Sequence, residues 1–208
     1  MPAALPDDVR ALYDVIREPI RERLNDFAGV QPDEYFYELC YCLLTPQSSA
    51  RNVGRAVEIL ERRDFYTTPF DPVEVLRAKE HYVRFHLTKA KRLLGVRRQY
   101  PEIYSCLLSR FPVEAKRAWL VEHVNGLSLK EASHFLRNIG ERDLAILDRH
   151  ILTHLVACGV IRKKPVSLTS QRYFAIERKF KRFSTQMGIP MDELDLLFWS
   201  AQTGEILK

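Results

Sequence analysis

Apolar residues recur every three or four positions along most of this chain, and that spacing limits the folds it can adopt. The pattern is clear in the segments 9–16, 36–43, 53–60, 151–156 and 191–201. It is typical of helices with one apolar face, whereas the alternation typical of strands is short and isolated. The sequence therefore predicts an all-α fold of roughly ten helices, with no obvious linker and no internal repeat.

Two helix starts carry the expected chemical markers. Pro32 precedes the acidic pair 33–34, and Pro190 precedes the acidic pair 192–193. Proline fits the first turn of a helix, and acidic side chains are stabilised by the positive end of the helix dipole. We therefore predict that helices begin at or just after these prolines.

The order of the segments predicts two helical lobes that flank an active-site cleft. Residues 46–161 form a continuous helical array, which we expect to be lobe one. Residues 1–45 and 162–208 are then expected to form lobe two. A cleft between two lobes is a common place for a functional site.

Basic residues are concentrated in two stretches of the chain. The 208 residues carry a formal net charge of +5, which is compatible with an anionic partner. Residues 81–100 contain six Lys or Arg and no acid, and residues 162–182 contain eight Lys or Arg with Glu177 as the single acid. Each stretch is either a surface for nucleic acid or an ordinary solvated helix face.

The four cysteines do not have the spacing of a metal site. Cys40 and Cys42 are two residues apart within an apolar pattern, and Cys106 and Cys158 are isolated. We predict buried, reduced thiols, with no metal and no disulfide. The first residues lack the features of a secretion signal, and no apolar run reaches the ~18 residues that span a bilayer. A soluble, cytoplasmic protein is therefore expected.

Residues 118–140 predict two helices joined by a tight turn. The helical pattern breaks at Asn125 and Gly126, and Gly126 can adopt a positive φ there. Ser128 is a good N-cap for the second helix, with Glu131 three residues later to complete a capping box. The free N–H groups at such a helix start can bind phosphate. An ordinary helix–helix corner fits the local sequence equally well.

Lys130 and Asp148 are the candidate functional side chains in this region. Lys130 lies in the first turn of the second predicted helix, where the positive helix end disfavours a cation and favours the neutral, nucleophilic amine. Asp148 interrupts the apolar run 144–152 just before the next helical pattern. It is either a plain N-cap or a functional carboxylate.

The segment 118–156 resembles the helix-hairpin-helix DNA glycosylase superfamily, which includes endonuclease III. In that pattern the hairpin ends in a catalytic lysine, and an aspartate in an apolar-Asp-x-His-apolar setting follows. Lys130 and Asp148 match in type, spacing and setting, with His150 and Ile151 completing the second motif. The whole chain is more similar still to the archaeal-type 8-oxoguanine DNA glycosylases. The supporting segments are 43–50, 83–86, 125–140 and 198–208.

The resemblance implies a bifunctional base-excision repair enzyme, both an N-glycosylase and a DNA-(apurinic or apyrimidinic site) lyase. It would remove 8-oxoguanine and cleave the strand 3′ to the abasic site by β-elimination through a Schiff base on Lys130, with Asp148 as the partner carboxylate. Two alternatives stay open. One is a glycosylase/lyase for another damaged base, such as an oxidised pyrimidine, and the other is a non-catalytic DNA-binding module.

The remaining expected site residues contact the damaged base or the DNA duplex. The resemblance implies that Gln47 fills the gap left by the extruded base, the alternative being an exposed loop amide. A flipped purine needs an aromatic platform, for which Trp199 is the first candidate and Phe85 the second, although either could be a core residue. The resemblance also implies that the terminal carboxylate of Lys208 contacts the base, the alternative being a chain end without a role in recognition.

Gly126, Ser128 and His150 complete the expected DNA-binding residues. The usual hairpin has a second glycine where this chain has Ser128. Several relatives carry an iron–sulfur cluster held by four cysteines near the C-terminus, but this chain lacks that set, so we predict none. No cofactor is expected to be required, although a monovalent cation held by the hairpin carbonyls is compatible with the resemblance. The expected partner is double-stranded DNA with a damaged base, bound by a nucleoid-associated monomer with no membrane contact.

Overall fold

The computed structural model describes residues 3–206, and within that range the chain forms ten α-helices and one 3₁₀ turn but no strand. This confirms the predicted all-α fold. The helices are α1 (Asp7–Gly29), α2 (Tyr35–Leu44), α3 (Ala50–Arg62), α4 (Val73–Arg77), α5 (His86–Leu108), α6 (Val113–His123), α7 (Leu129–Asn138), α8 (Arg149–Ala157), α9 (Ser170–Met187) and α10 (Met191–Thr203). The 3₁₀ turn spans Lys79–His81, between α4 and α5.

The chain divides into two compact units. One contains the residues up to Val30 together with those from Leu136 onward, and the other contains Gln31–Phe135. The N- and C-terminal segments thus share a unit, and the other unit spans 31–135, where the sequence suggested a lobe over 46–161. The reason is packing: α2 contacts α3 and α5 in the second unit, whereas α8 contacts α10 in the first.

In the first unit, most residues of α10 are buried, and the helix packs against α1, α8 and α9. It follows Pro190 directly, as predicted. The acidic residues of its first turn interact favourably with the helix dipole, and Glu193 also makes specific contacts. It accepts hydrogen bonds from the Tyr13 hydroxyl at 2.5 Å and from Arg21 Nε at 3.2 Å. Two residues later, Asp195 Oδ2 accepts from Arg137 Nη1 at 2.7 Å. These buried polar contacts fix the helix that carries Trp199.

The helix after Pro32 begins later than its proline suggests. Residues 32–34 form a turn, and α2 starts at Tyr35. The Glu34 carboxylate accepts a hydrogen bond from the backbone N–H of Gln31 at 2.9 Å, which stabilises the turn. Competition from such local side-chain hydrogen bonds is a common reason for a displaced helix start.

The second unit is built around the aromatic side chain of Phe36. Its ring centroid lies between 4.8 and 6.2 Å from those of four neighbours. These are Tyr37, Phe65, Tyr66 and Tyr100. Arg97, from the first basic stretch, donates through Nε to the carbonyl oxygens of Phe65 and Tyr66, each at 2.8 Å. Part of that stretch therefore supports the fold.

All four cysteines are buried, as predicted, and none of them is bridged. Burial raises the pKa of the Cys158 thiol to about 11, and it also raises the pKa of Cys40. Across residues 3–206, no three His, Cys, Asp or Glu side chains form a group that could hold a metal ion. Of the helices in that range, none is both long and apolar enough to cross a membrane.

Candidate active site

The predicted hairpin is present in the second unit. Helix α6 ends at His123, α7 starts at Leu129, and Gly126 in the turn has a φ of +102°. The Glu131 carboxylate accepts from the backbone N–H of Ser128 at 3.3 Å, which is one of the two hydrogen bonds of the predicted capping box. The Ser128 hydroxyl donates to that same carboxylate instead of capping a backbone N–H group.

The side chain of Arg92 leaves no room for a Cβ in the turn, which is a second reason why the turn requires glycine. A Cβ on Gly126 would lie 2.6 Å from Arg92 Cδ and 2.8 Å from Arg92 Nε. Arg92 therefore lies directly against the turn and places its positive charge beside the start of α7. The sequence placed this arginine only in a basic stretch.

Gly126→Ala should lower the free energy of unfolding by about 1–3 kcal/mol, because the alanine is strained at positive φ and collides with Arg92. The measurement is chemical denaturation followed by circular dichroism. Gly54→Ala is the matched control, since a Cβ there meets nothing within 4 Å. It lies inside α3, where alanine is expected to be neutral or stabilising. Equal stabilities of the two variants would contradict this account of the turn.

Lys130 lies in the first turn of α7 beside a carboxylate. Its Nζ is 3.3 Å from Glu131 Oε1, and the two side chains are only 25% and 12% exposed. Burial raises the pKa of the Glu131 carboxyl, but the charge of Lys130 and the hydrogen bond from Ser128 outweigh it and leave that pKa below its usual value. The ionised Glu131 thus offsets the cost of a cation at a positive helix end. The local sequence had indicated only a capping role for Glu131.

In the first unit, Asp148 is the N-cap of α8. Its Oδ1 accepts from the backbone N–H groups of His150 and Ile151, both at 2.8 Å. Asp148 therefore caps the helix through a single oxygen. Within residues 3–206, no hydrogen bond is made by the second oxygen, Oδ2. The cap uses one oxygen and leaves the other available for chemistry.

His150 and Trp199 lie close to this cap. Their ring centroids are 5.2 Å apart with the planes at 89°, and Arg149 Nε is 3.0 Å from His150 Nε2. Trp199 is partly buried, and its Nε1 has no hydrogen-bond partner among the residues described. The first unit thus brings together Asp148, His150 and Trp199. Lys208, expected to contact the base, lies outside the described residues.

Gln47 and Phe85, in the second unit, share an unusual backbone conformation. Both are exposed, and their φ angles are +57° and +60°. Phe85 is 49% exposed, so the core alternative for its ring is wrong, and the Arg84 guanidinium lies 4.9 Å from the ring centroid. Left-handed conformations cost energy in residues other than glycine and cluster at functional sites.

The first basic stretch is only partly solvated, whereas all eight cations of the second are exposed. In the first, Lys89 is buried, and Arg92 and Arg97 contact the protein, which leaves Arg84, Lys91 and Arg98 exposed. In the second, α9 exposes a row of cations toward its C-terminal half. These are Arg178, Lys179, Lys181 and Arg182. The exposed cations are the ones available to an anionic partner.

Comparison with known proteins covers almost the entire chain. A family model described as 8-oxoguanine DNA glycosylase matches residues 20–189. A Fusobacterium nucleatum protein named 8-oxoguanine DNA glycosylase/AP lyase is 36% identical over 97% of each chain. A Korarchaeum cryptofilum protein of the same name is 37% identical over 97% of this chain and 96% of its own.

Solved structures give the same result. The Methanocaldococcus jannaschii 8-oxoguanine glycosylase/lyase, crystallised with a 15mer DNA containing 8-oxoguanine, superposes with a TM-score of 0.86 at 32% identity. The alignment covers 96% of this chain and 97% of that one. The 8-oxoguanine DNA glycosylase of Thermotoga maritima superposes with a TM-score of 0.85 at 26% identity, over 97% of each chain.

Proposed function

The chain belongs to the 8-oxoguanine DNA glycosylase family, and we propose that it removes 8-oxoguanine from DNA and then cleaves the strand at the abasic site. The observation that carries this proposal is similarity over 97% of the chain to proteins named 8-oxoguanine DNA glycosylase/AP lyase. A chain of the same fold has been crystallised with DNA that contains this lesion. The enzyme is therefore both an N-glycosylase and a lyase.

Extrusion of the damaged base comes first, because the glycosidic bond cannot be reached within the base stack. In our proposal, the amide of Gln47 occupies the gap that the base leaves. Trp199 offers an aromatic face for the extruded purine, with Phe85 as a second stacking candidate. The exposure of Gln47 and Phe85 supports these roles.

The chemical step uses the amine of Lys130 as nucleophile. Lys130 Nζ, once deprotonated, attacks the anomeric carbon of the sugar while the bond to the base breaks. Positive charge develops on the sugar, and the Asp148 carboxylate stabilises it and takes part in removing the proton from the amine. The free Oδ2 of Asp148 supports this role, because the cap leaves that oxygen unbonded.

Strand cleavage follows from the identity of the nucleophile. Displacement of the base forms a bond between the amine and the anomeric carbon. The sugar ring then opens, because the bond from that carbon to the ring oxygen breaks and the oxygen takes up a proton, and the Schiff base that results acidifies the neighbouring sugar carbon. Loss of a proton there expels the 3′ phosphate by β-elimination. An activated water would release the base and leave the strand intact. Because a side chain supplies the nucleophile, we propose that the reaction requires no cofactor. We also propose that the protein acts on double-stranded DNA as a monomer.

A panel of duplexes with one lesion each tests the function. We expect base release and nicking with 8-oxoguanine, and nicking alone at a pre-formed abasic site. Undamaged duplex and a duplex with an oxidised pyrimidine complete the panel. Faster release of the oxidised pyrimidine would assign a different substrate, and binding without release from any lesion would indicate a non-catalytic module.

DNA affinity should decrease steeply with salt, because exposed cations displace condensed counterions from phosphates. Between about 50 and 200 mM salt, we expect the association constant to fall about 10- to 100-fold, as for about three phosphate contacts. Fluorescence anisotropy with labelled duplex measures this. A double variant, Arg178→Gln with Arg182→Gln, should flatten the salt dependence. Arg77→Gln, in α4 and outside both basic stretches, should not. Affinity independent of salt would argue against the phosphate contacts.

A further inference from the structure

Lys89 is a buried cation that the reaction proposed above does not use. It lies in the first turn of α5 and is only 2% exposed. Its Nζ donates to the carbonyl oxygens of Leu44 at 2.6 Å and Pro46 at 2.8 Å, and to the hydroxyl of Ser48 at 3.0 Å. An ammonium group has three hydrogens, so these acceptors use all of them. All three acceptors lie in the segment 44–48, which carries Gln47.

Burying an ammonium group here costs more desolvation free energy than burying an apolar side chain would. Burial, together with the charge of Arg92, lowers the pKa of Lys89 to about 8. A buried charge is tolerated only where hydrogen bonds compensate it, and the three oxygens of one short segment provide that compensation. Lys89 therefore constrains the path of the chain between α2 and α3.

Ser48 extends the same constraint to a second segment. Its Oγ, which accepts from Lys89, also accepts from the backbone N–H of Arg84 at 3.0 Å. Ser48 directly follows Gln47, and Arg84 directly precedes Phe85. One hydroxyl thus connects the segment that carries Gln47 to the segment that carries Phe85, and both of these residues have a positive φ. Such strained residues persist only where their surroundings hold them in place.

We propose that Lys89 and Ser48 form a clamp that holds the segments 44–48 and 83–85 in the shape that presents Gln47 to the duplex during base extrusion. The inference rests on the proposed function. Lys89 is a positioning residue in this scheme: it acts through Gln47 and does not itself contact the DNA. If Lys89 only stabilised the fold, its loss would slow the reactions on lesion duplex and on abasic duplex to the same extent.

Lys89→Met tests the clamp, because methionine keeps an extended side chain but donates no hydrogen bond. Under single-turnover conditions, excision of 8-oxoguanine from duplex should slow at least about tenfold, since buried hydrogen bonds to a charged group are lost. Nicking at a pre-formed abasic site should change by less than about threefold, because no base remains to be extruded. Fluorescence of 2-aminopurine next to the lesion should report less unstacking.

A double-mutant cycle with Gln47→Ala identifies what the clamp acts through. If Lys89 works by presenting Gln47, the double variant should be no slower than the slower single variant. Lys79→Met, an exposed lysine in the 3₁₀ turn, is the matched control and should excise at the wild-type rate. If Lys89→Met does not fold, the pair Ser48→Ala and Ser48→Thr replaces it. We then expect the alanine to slow duplex excision and the threonine, which keeps the hydroxyl, to restore it.

Each contradictory outcome has a distinct meaning. The clamp would be contradicted if the rate reductions of the two single variants multiplied in the double variant. It would also be contradicted if Lys89→Met slowed the reactions on lesion duplex and abasic duplex equally. Either result would leave the proposed function intact. So would a Ser48→Ala variant that excises as fast as wild type. Absence of 8-oxoguanine release by the wild type would contradict the proposed function, and the clamp inference would fall with it.

Discussion

Lys130→Gln is expected to abolish both base release and strand nicking while DNA affinity stays nearly unchanged. One amine serves both steps, so its removal should cost at least about 10³-fold in each rate. The start of α7 should survive the change, because Glu131 keeps its hydrogen bonds from the Ser128 hydroxyl and backbone. A glutamine amide can also donate to Glu131, as the lysine does. Loss of activity would therefore report the missing nucleophile and not a disrupted hairpin.

Single-turnover gel assays with 8-oxoguanine duplex and with abasic duplex measure the two activities, and anisotropy measures the affinity. Lys79→Gln is the matched control, since it makes the same change on an exposed lysine away from the hairpin. If Lys130→Gln lost base release but kept nicking at the wild-type rate, another group would be the lyase nucleophile. If both activities survived, Lys130 would have no catalytic role.

Asp148→Asn should slow base release by about 10²–10⁴-fold with little change in thermal stability. The asparagine carbonyl can still accept from the N–H groups of His150 and Ile151, so the cap of α8 is retained. The substitution removes the negative charge, and with it the stabilisation of the developing positive charge on the sugar. Single-turnover rates and thermal melting, measured together, separate the two roles.

Two further variants define the interpretation of Asp148. Asp148→Ala should lose the cap as well as the charge, and so should also be less stable by about 1 kcal/mol. Asp71→Asn is the matched control, because Asp71 Oδ1 accepts from the backbone N–H of Val73 at 3.0 Å at the start of α4. It should react at the wild-type rate. A near-normal rate for Asp148→Asn would reduce Asp148 to a plain N-cap.

Features set by near neighbours in the chain could be predicted from the sequence. Apolar spacing gave the helices, and the rules for turns and caps gave the positive φ of Gly126 and the cap at Asp148. Each of these depends on residues within four positions of one another. The displaced start of α2 was missed because the Glu34 side chain stabilises a turn that the proline–acid pattern does not distinguish from a helix start.

Features set by distant neighbours could not be predicted. Composition placed Lys89 in a stretch expected to be either a nucleic-acid surface or a solvated helix face, but its partners lie more than forty positions away, around Ser48. The contact between His150 and Trp199 likewise depends on how α8 and α10 pack. Charge along a sequence does not tell which cations face inward. The bounds of the two units likewise depend on packing between segments that are distant in the chain.

Borohydride reduction during the reaction with 8-oxoguanine duplex tests the central claim most directly. The hydride converts a Schiff base into a stable amine and so attaches the enzyme covalently to the DNA. Mass spectrometry of the digested adduct should locate the sugar on Lys130, in the peptide that begins the second helix of the hairpin. An adduct on a different lysine would contradict the account, as would release of 8-oxoguanine with no adduct and an uncut strand.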